Sequence, residues 1–292
     1  PTMQKVKCRD GHVRYCIYSC KMREGHGLGI LYSDDLGKTW KEARCAAGIS
    51  AAMPPTGFML LKNGECALLG QIRSDASVKT DNEGDDQEVW MSVSNDGGLT
   101  WGPMRTVAKA TGRNLCEPCC LRSPDGNGLV LIMRDNRHRG RSMMCFSCDE
   151  GKNWTKPVDT PWALTGDRHE GVLLPDGRDV IAFRDRAVGS DTLGQYVAWV
   201  GSWNDLVNGR PGEYRIHLME HFPDERSWSN TDTGYSGVEL LPDGTLVCTT
   251  YMKMAEDACR HSVVSVRFTI SETDKRAFGR WYWFTNMLRK LF

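Results

Sequence analysis

One turn, Ser-x-Asp-x-Gly-x-Thr/Asn-Trp, occurs three times and constrains this chain more than any other feature. The copies are Ser33-Asp35-Gly37-Thr39-Trp40, Ser94-Asp96-Gly98-Thr100-Trp101 and Ser147-Asp149-Gly151-Asn153-Trp154. A motif that returns every few tens of residues marks a fold assembled from copies of one supersecondary unit. Within each copy the Asp carboxylate is suited to accept backbone N–H groups, the Gly to supply a left-handed backbone, and the Trp to pack between neighbouring sheets. A second signal interleaves with the first: Asp10-Gly11, Asn63-Gly64, Asp125-Gly126, Asp176-Gly177 and Asp243-Gly244 each lie between apolar runs and read as hairpins. Each unit therefore reads strand, hairpin, strand, loop, strand, box turn, strand. That is the four-stranded antiparallel blade of an all-β propeller.

Five units are visible, at about 1–45, 53–105, 115–158, 168–218 and 233–271. The fourth has only a partial box at Ser202-Trp203-Asn204-Asp205, and the fifth runs through Val263-Val264-Ser265-Val266-Arg267-Phe268 without one. Residues 1–292 are expected to form a single propeller domain. Rings of five and six blades both fit, and six is the expectation, with strands from the termini completing the ring. The segment 272–292 carries Trp281, Tyr282, Trp283, Phe284, Leu288 and Leu291 among basic residues. It reads as a terminal strand or helix packed on the ring, with an interface or membrane-surface role as the alternative.

With 37 Lys plus Arg against 37 Asp plus Glu, the chain has no overall field to draw it to nucleic acid or an anionic membrane, so any charged site is local. No run reaches the roughly 20 apolar residues of a membrane helix, and no leader follows Pro1, so a soluble chain is expected. A leader removed from upstream is compatible with this. Of the 12 Cys, Cys16, Cys66, Cys119, Cys145 and Cys248 fall inside strand-like runs and read as small core residues. Cys116, Cys119 and Cys120 lack a second pair at zinc spacing, so neither a metal nor a cofactor is expected.

In such a blade the start of the first strand and the end of the second lie at one face. Nine residues before each hairpin glycine stand Thr2, Pro55, Glu117, Arg168 and Tyr235; the second strands end at Arg73, Arg134, Arg184 and Tyr251. Three arginines in one repeated slot would repel one another unless an anion or acidic neighbours compensated. A guanidinium fork matches a carboxylate, so an anionic ligand is expected. Glu117 and Tyr235 share the other slot, and a Tyr hydroxyl beside a carboxylate is a potential nucleophile.

These residues resemble the sialidase (neuraminidase) superfamily, whose Asp-box propellers carry an arginine triad and a Tyr-Glu pair. The stretch Glu117-Pro118 to Met133-Arg134 is similar to the family's glutamate and a following triad arginine. Tyr235-Ser236 leading into Leu241-Pro242-Asp243-Gly244 is similar to the segment of its nucleophilic tyrosine. The resemblance implies removal of a terminal α-linked sialic acid with retention, through a covalent tyrosyl intermediate rather than the usual carboxylate pair. Tyr235 would be the nucleophile and Glu117 its base, with Arg134, Arg184 and Arg73 on the substrate carboxylate. Arg186 and Arg168 are further candidates for the third arginine. The register of the family's first arginine falls at Pro1, and its acid/base aspartate is replaced by Arg23-Glu24-Gly25-His26. Glu24, His26 or an acid of the loop 81–86, such as Asp85, are candidates for that role. So is a His169-Glu170 device beside Arg168. The partner implied is a sialylated glycan or another acidic sugar, and the resemblance suggests a secreted or periplasmic protein. A non-catalytic propeller that binds an acidic sugar or protein, and a hydrolase of another acidic sugar, are the alternatives.

Overall fold

A computed structural model describes residues 2–21, 27–50, 53–73, 87–222, 232–255 and 261–289. The chain divides into two compact units, Pro1–Val158 and Asp159–Phe292. The first holds three four-stranded sheets. They are built from β1 (Thr2–Lys7), β2 (Val13–Lys21), β3 (Gly27–Ser33) and β4 (Lys41–Ser50); β5 (Gly57–Leu60), β6 (Cys66–Arg73), β7 (Gln87–Ser94) and β8 (Arg105–Ala108); and β9 (Leu115–Arg122), β10 (Leu129–Asp135), β11 (Met143–Ser147) and β12 (Val158–Asp159). The second holds β13 (Gly166–Leu173), β14 (Arg178–Asp185), β15 (Tyr196–Ser202) and β16 (Tyr214–Met219), then a three-stranded sheet of β17 (Gly234–Leu240), β18 (Thr245–Met252) and β19 (Ser262–Thr269). Every sheet is an antiparallel meander in sequence order, which is the topology of propeller blades.

Turn chemistry explains the meander. In all five hairpins the Asx side chain accepts the backbone N–H two residues on, at 2.9 to 3.2 Å. Only the glycine of each pair has positive φ, and its N–H bonds the carbonyl three residues back. The boxes repeat one network. Asp35 accepts the backbone N–H of Thr39 at 2.9 Å and its hydroxyl at 2.6 Å, while Ser33 Oγ accepts from Gly37 N–H at 2.8 Å. Asp96 and Asp149 make the corresponding bonds, Asn153 standing in for Thr. The Asn153 backbone N–H and side-chain amide hold the Asp149 carboxyl down at about 2. The tryptophans differ: Trp101 is buried edge-on to Tyr18, Trp154 is half-buried, and Trp40 is exposed, its indole N–H donating to Gly37 O at 3.1 Å.

Apolar faces pack between successive sheets within each unit. Tyr18, Leu28, Leu68 and Trp90 fill the space between the first and second, and Leu69, Met91, Leu131 and Met133 that between the second and third. In the second unit Val180, Ala182, Val200, Leu246 and Cys248 do the same. Ten cysteines among the described residues are in no disulfide, seven of them buried, in keeping with a core role.

The expected sixth blade is not present: the described residues form five sheets, not six. The partial box at Ser202 is instead a helix start. Ser202 Oγ accepts the Asp205 N–H and Asp205 Oδ2 accepts the Ser202 N–H, a capping box that begins α1 (Trp203–Val207). The chain after β19 meets the same device at Thr269 and Glu272 and becomes α2 (Ile270–Phe278), followed by α3 (Tyr282–Arg289). The tail is therefore helical and supplies no closing strand.

Two features give tests. Gly98 has φ +88°, and a Cβ there would meet the Tyr18 hydroxyl at 2.3 Å, whereas Gly112, at φ +74°, has open space. Gly98→Ala should cost about 2–4 kcal/mol and Gly112→Ala about 1 kcal/mol in urea unfolding. Asp179 of β14 is fully buried, neither carboxylate oxygen has a partner among the described residues, and burial pushes its carboxyl up to about 7. The folded chain then holds a proton that the unfolded chain releases near pH 4. The contribution of Asp179 is therefore most favourable below that value, falls as pH rises towards 7 and is level above. From pH 5 to pH 8 its share of the loss should be about 2–4 kcal/mol, and Asp179→Asn should make the profile shallower by that amount.

Candidate functional site

Three first strands break their pairing at the same place. The ladder skips between Ile132 and Arg134 opposite Cys116 and Cys119, between Asp167 and Glu170, and between Gly234 and Gly237. Each is a β-bulge with two residues facing one, and the leading residue is Glu117, Arg168 or Tyr235, at φ 51°, 55° and 53°. A non-glycine residue in the left-handed region costs about 1–2 kcal/mol. Such residues concentrate at functional positions, where a bulge re-aims a side chain. The partner opposite the residue just before each bulge is Arg134, Arg184 or Tyr251. The slots counted from the hairpins are thus one local geometry in three blades. The second blade lacks it: β5 begins only at Gly57, opposite Leu69, and Arg73 ends β6 opposite Gln87.

In the first unit, Glu117 and Arg134 are both buried and form an ion pair at 3.1 Å. The Glu117 N–H, freed from the ladder by the bulge, donates to Gln71 Oε1 of β6 at 3.3 Å. The guanidinium is so held against a carboxylate whose backbone is itself fixed by the adjacent blade.

In the second unit, Arg184 donates through Nε and Nη2 to one oxygen of the buried Asp167, at 3.0 and 2.9 Å. Arg186 Nε reaches the same oxygen at 2.7 Å. Arg184 Nη1 lies 3.6 Å from Asp232, which also accepts the Tyr251 hydroxyl at 2.7 Å and faces His261 Nε2 at 3.6 Å. Tyr251 stacks on Tyr235, with ring centroids 5.9 Å apart, and burial together with the Asp232 carboxylate pushes its phenol well above the usual range. Tyr235 is 47 % exposed and has the Arg168 guanidinium 4.4 Å from its ring centroid.

Charge balance does not require a ligand here. Arg134 and Arg184 each already face an internal carboxylate, Glu117 for Arg134 and Asp167 with Asp232 for Arg184, so neither guanidinium is uncompensated. His169 belongs to the packing rather than to an acid/base device. It is buried against Phe183, donates from Nε2 to Leu164 O at 3.0 Å, and burial lowers it to about 4, so it is neutral at physiological pH. Glu170 is half-buried between strands, and burial raises its carboxyl to about 7, against the pull of Arg168. Glu24, His26 and Asp85 lie outside the described residues, and so does the side chain of Arg73. Asp167, Asp232 and His261 were not legible beforehand. Asp167 and Asp232 do lie within three residues of bulge positions, a signal usable only once the bulges are known.

Residues 31–191, more than half of the chain, match the BNR repeat-like domain. The chain belongs to that family. None of the curated proteins matches it. Among solved structures it is similar to a protein of unknown function from Dyadobacter fermentans, with 16% identity, TM-score 0.67, and 91% of this chain and 75% of that one covered. It is also similar to the intramolecular trans-sialidase of Ruminococcus gnavus, with 17% identity, TM-score 0.57, and 84% of this chain covered. This BNR repeat-like chain spans only 51% of that enzyme. The α-L-arabinanase of Cellvibrio cellulosa gives 13% identity and TM-score 0.54, covering 91% and 90%. The resemblance to Asp-box propellers thus holds for the BNR repeat-like family and for the fold, and identities this low speak to fold alone.

The two carboxylates on Arg184 should separate in unfolding experiments. Asp167→Asn should cost about 3–5 kcal/mol, because it strands a buried guanidinium. Asp232→Asn should cost about 1 kcal/mol or less, since Asp232 is solvated.

Proposed function

We propose that this chain is a carbohydrate-active enzyme that removes a terminal α-linked sialic acid with retention. Tyr235 is the nucleophile, Glu117 its proton acceptor, and Arg134, Arg184 and Arg73 hold the substrate carboxylate. The observation that carries the reading is the conformation of Tyr235: a half-exposed tyrosine at a left-handed bulge, in the slot that another blade gives to Glu117. The backbone strain there stabilises nothing in the core and is the cost of aiming one side chain outward.

Sialic acid carries its carboxylate on the anomeric carbon, so a neutral phenol approaches with less repulsion than Asp or Glu. In the attack, the Tyr235 oxygen bonds to the anomeric carbon as the glycosidic bond breaks, its proton passes to Glu117, and the aglycone oxygen leaves as an alcohol protonated by solvent. Water then attacks the tyrosyl aryl ketal, losing a proton to solvent, while the Tyr235 oxygen leaves as a phenol by recovering its proton from Glu117, and the configuration is restored. The Arg168 guanidinium over the Tyr235 ring favours negative charge building on that ring as the proton leaves. The resemblance in sequence and the likeness to a trans-sialidase structure support the sugar; Arg134 and Arg184, both already paired, hold it by exchange of hydrogen bonds.

Fluorogenic α-sialoside hydrolysis by the full chain tests this. Wild type should turn over, and Tyr235→Phe should lose about 10³-fold or more in kcat while still binding free sialic acid. Full activity in that variant sinks the tyrosyl mechanism, and binding without turnover in wild type favours a non-catalytic module.

A further inference from the structure

The C-terminal helices carry a surface that the proposed reaction does not use. α3 has two faces. Tyr282 and Arg289 turn inward: the Tyr282 hydroxyl meets Ser271 Oγ at 2.9 Å, and Arg289 pairs with Asp274 at 3.0 Å and with Glu213. On another side, Trp281 just before α3 and Phe284 and Met287 within it are 60, 52 and 52 % exposed. An apolar stripe of this kind on a helix end is not accounted for by scattered surface exposure.

Its rim is cationic. Lys275, Arg276 and Arg280 are exposed along α2 and the turn after it, and the Arg280 guanidinium lies 5.6 Å from the Trp281 ring centroid. The acids of α2 offset them only in part, through Glu272. Asp274 is buried in bonds from Arg178, Tyr214 and Arg289, and the Glu272 carboxylate is committed to the Thr269 cap. A chain of zero net charge thus presents a local basic, aromatic surface. The Arg178–Asp274 pair, bidentate at 2.9 and 3.0 Å, ties this surface to β14, so presenting it demands little ordering.

We propose that the α2–α3 face docks on an anionic lipid surface, with Trp281, Phe284 and Met287 entering the headgroup boundary and Lys275, Arg276 and Arg280 facing the lipid charges. Charge complementarity selects this occupant. In a two-fold contact with a second copy the same cations would meet one another, whereas an anionic bilayer compensates all three. No helix among the described residues is long and apolar enough to cross a membrane, so the face lies on the bilayer rather than spanning it.

Co-sedimentation of the full chain with vesicles tests the proposal independently of any sialidase activity. Wild type should pellet with phosphatidylcholine vesicles containing about 30% phosphatidylserine and not with phosphatidylcholine alone, and about 0.5 M NaCl should release it. Trp281→Ser/Phe284→Ser and Lys275→Gln/Arg276→Gln/Arg280→Gln should each lower binding about tenfold with unchanged Tm and elution volume, since these side chains are exposed. The proposal is overturned by wild type that fails to pellet, by variants that pellet like wild type, or by equal binding to neutral vesicles. A concentration-dependent dimer abolished by the apolar variant, without vesicle binding, assigns the face to a second copy instead.

Discussion

A short side chain that accepts a backbone N–H a few residues ahead of itself is the interaction on which the rest of this structure depends. In the hairpins the Asx oxygen takes the N–H two residues on; in the boxes it takes the one four residues on and a hydroxyl or amide besides. Each capture fixes where a strand stops and how the next one returns. In an antiparallel sheet a register slip of one residue moves every side chain to the other face. Turn chemistry therefore decides whether Leu69, Met91 and Leu131 meet in one core, and whether Arg134 and Arg184 fall opposite the bulges.

The bulges convert that regular register into chemistry. A strand that kept its ladder would point alternate residues into the two sheet faces and leave nothing to project from its end. Doubling one position frees an N–H, turns the chain left-handed and re-aims one side chain. The freed group is satisfied where it can be seen: the Glu117 N–H finds Gln71. The strain falls on residues that bear carboxylate, guanidinium and phenol groups, not on glycines that would have carried it at little cost.

Much of this was legible in the sequence. The boxes and Asx-Gly pairs carry their own mechanism, so the meander and the slots of Glu117, Arg168, Tyr235, Arg134 and Arg184 follow from local chemistry. Blade number did not. Ser202 and Thr269 begin helices because the acids that follow them, Asp205 and Glu272, complete capping boxes, and the same two-residue vocabulary serves a turn and a helix cap equally well. Nor did the counter-charges. Asp167 is one residue from a bulge that periodicity does not reveal, and His169 reads as a rim histidine until that bulge turns it inward against Phe183.

The internal carboxylates alter what recognition of an acid would involve. A solvated arginine gains a ligand carboxylate at the expense of water, but Arg184 already donates through Nε and Nη2 to Asp167 and has Nη1 facing Asp232. Asp167 is buried and bonded to Arg186 as well, so it stays and fixes the plane of the guanidinium. Asp232 is 37 % exposed on its side chain and touches Arg184 only at 3.6 Å, which makes Nη1 the edge a ligand can take. Displacing Asp232 leaves its carboxylate with the Tyr251 hydroxyl and His261, so the exchange strands no charge. Binding by exchange yields less affinity than filling an unpaired site, because each new bond replaces an old one. In return such exchange would give discrimination: a neutral sugar could not compensate the guanidinium as Asp232 does, so only an acidic one would compete.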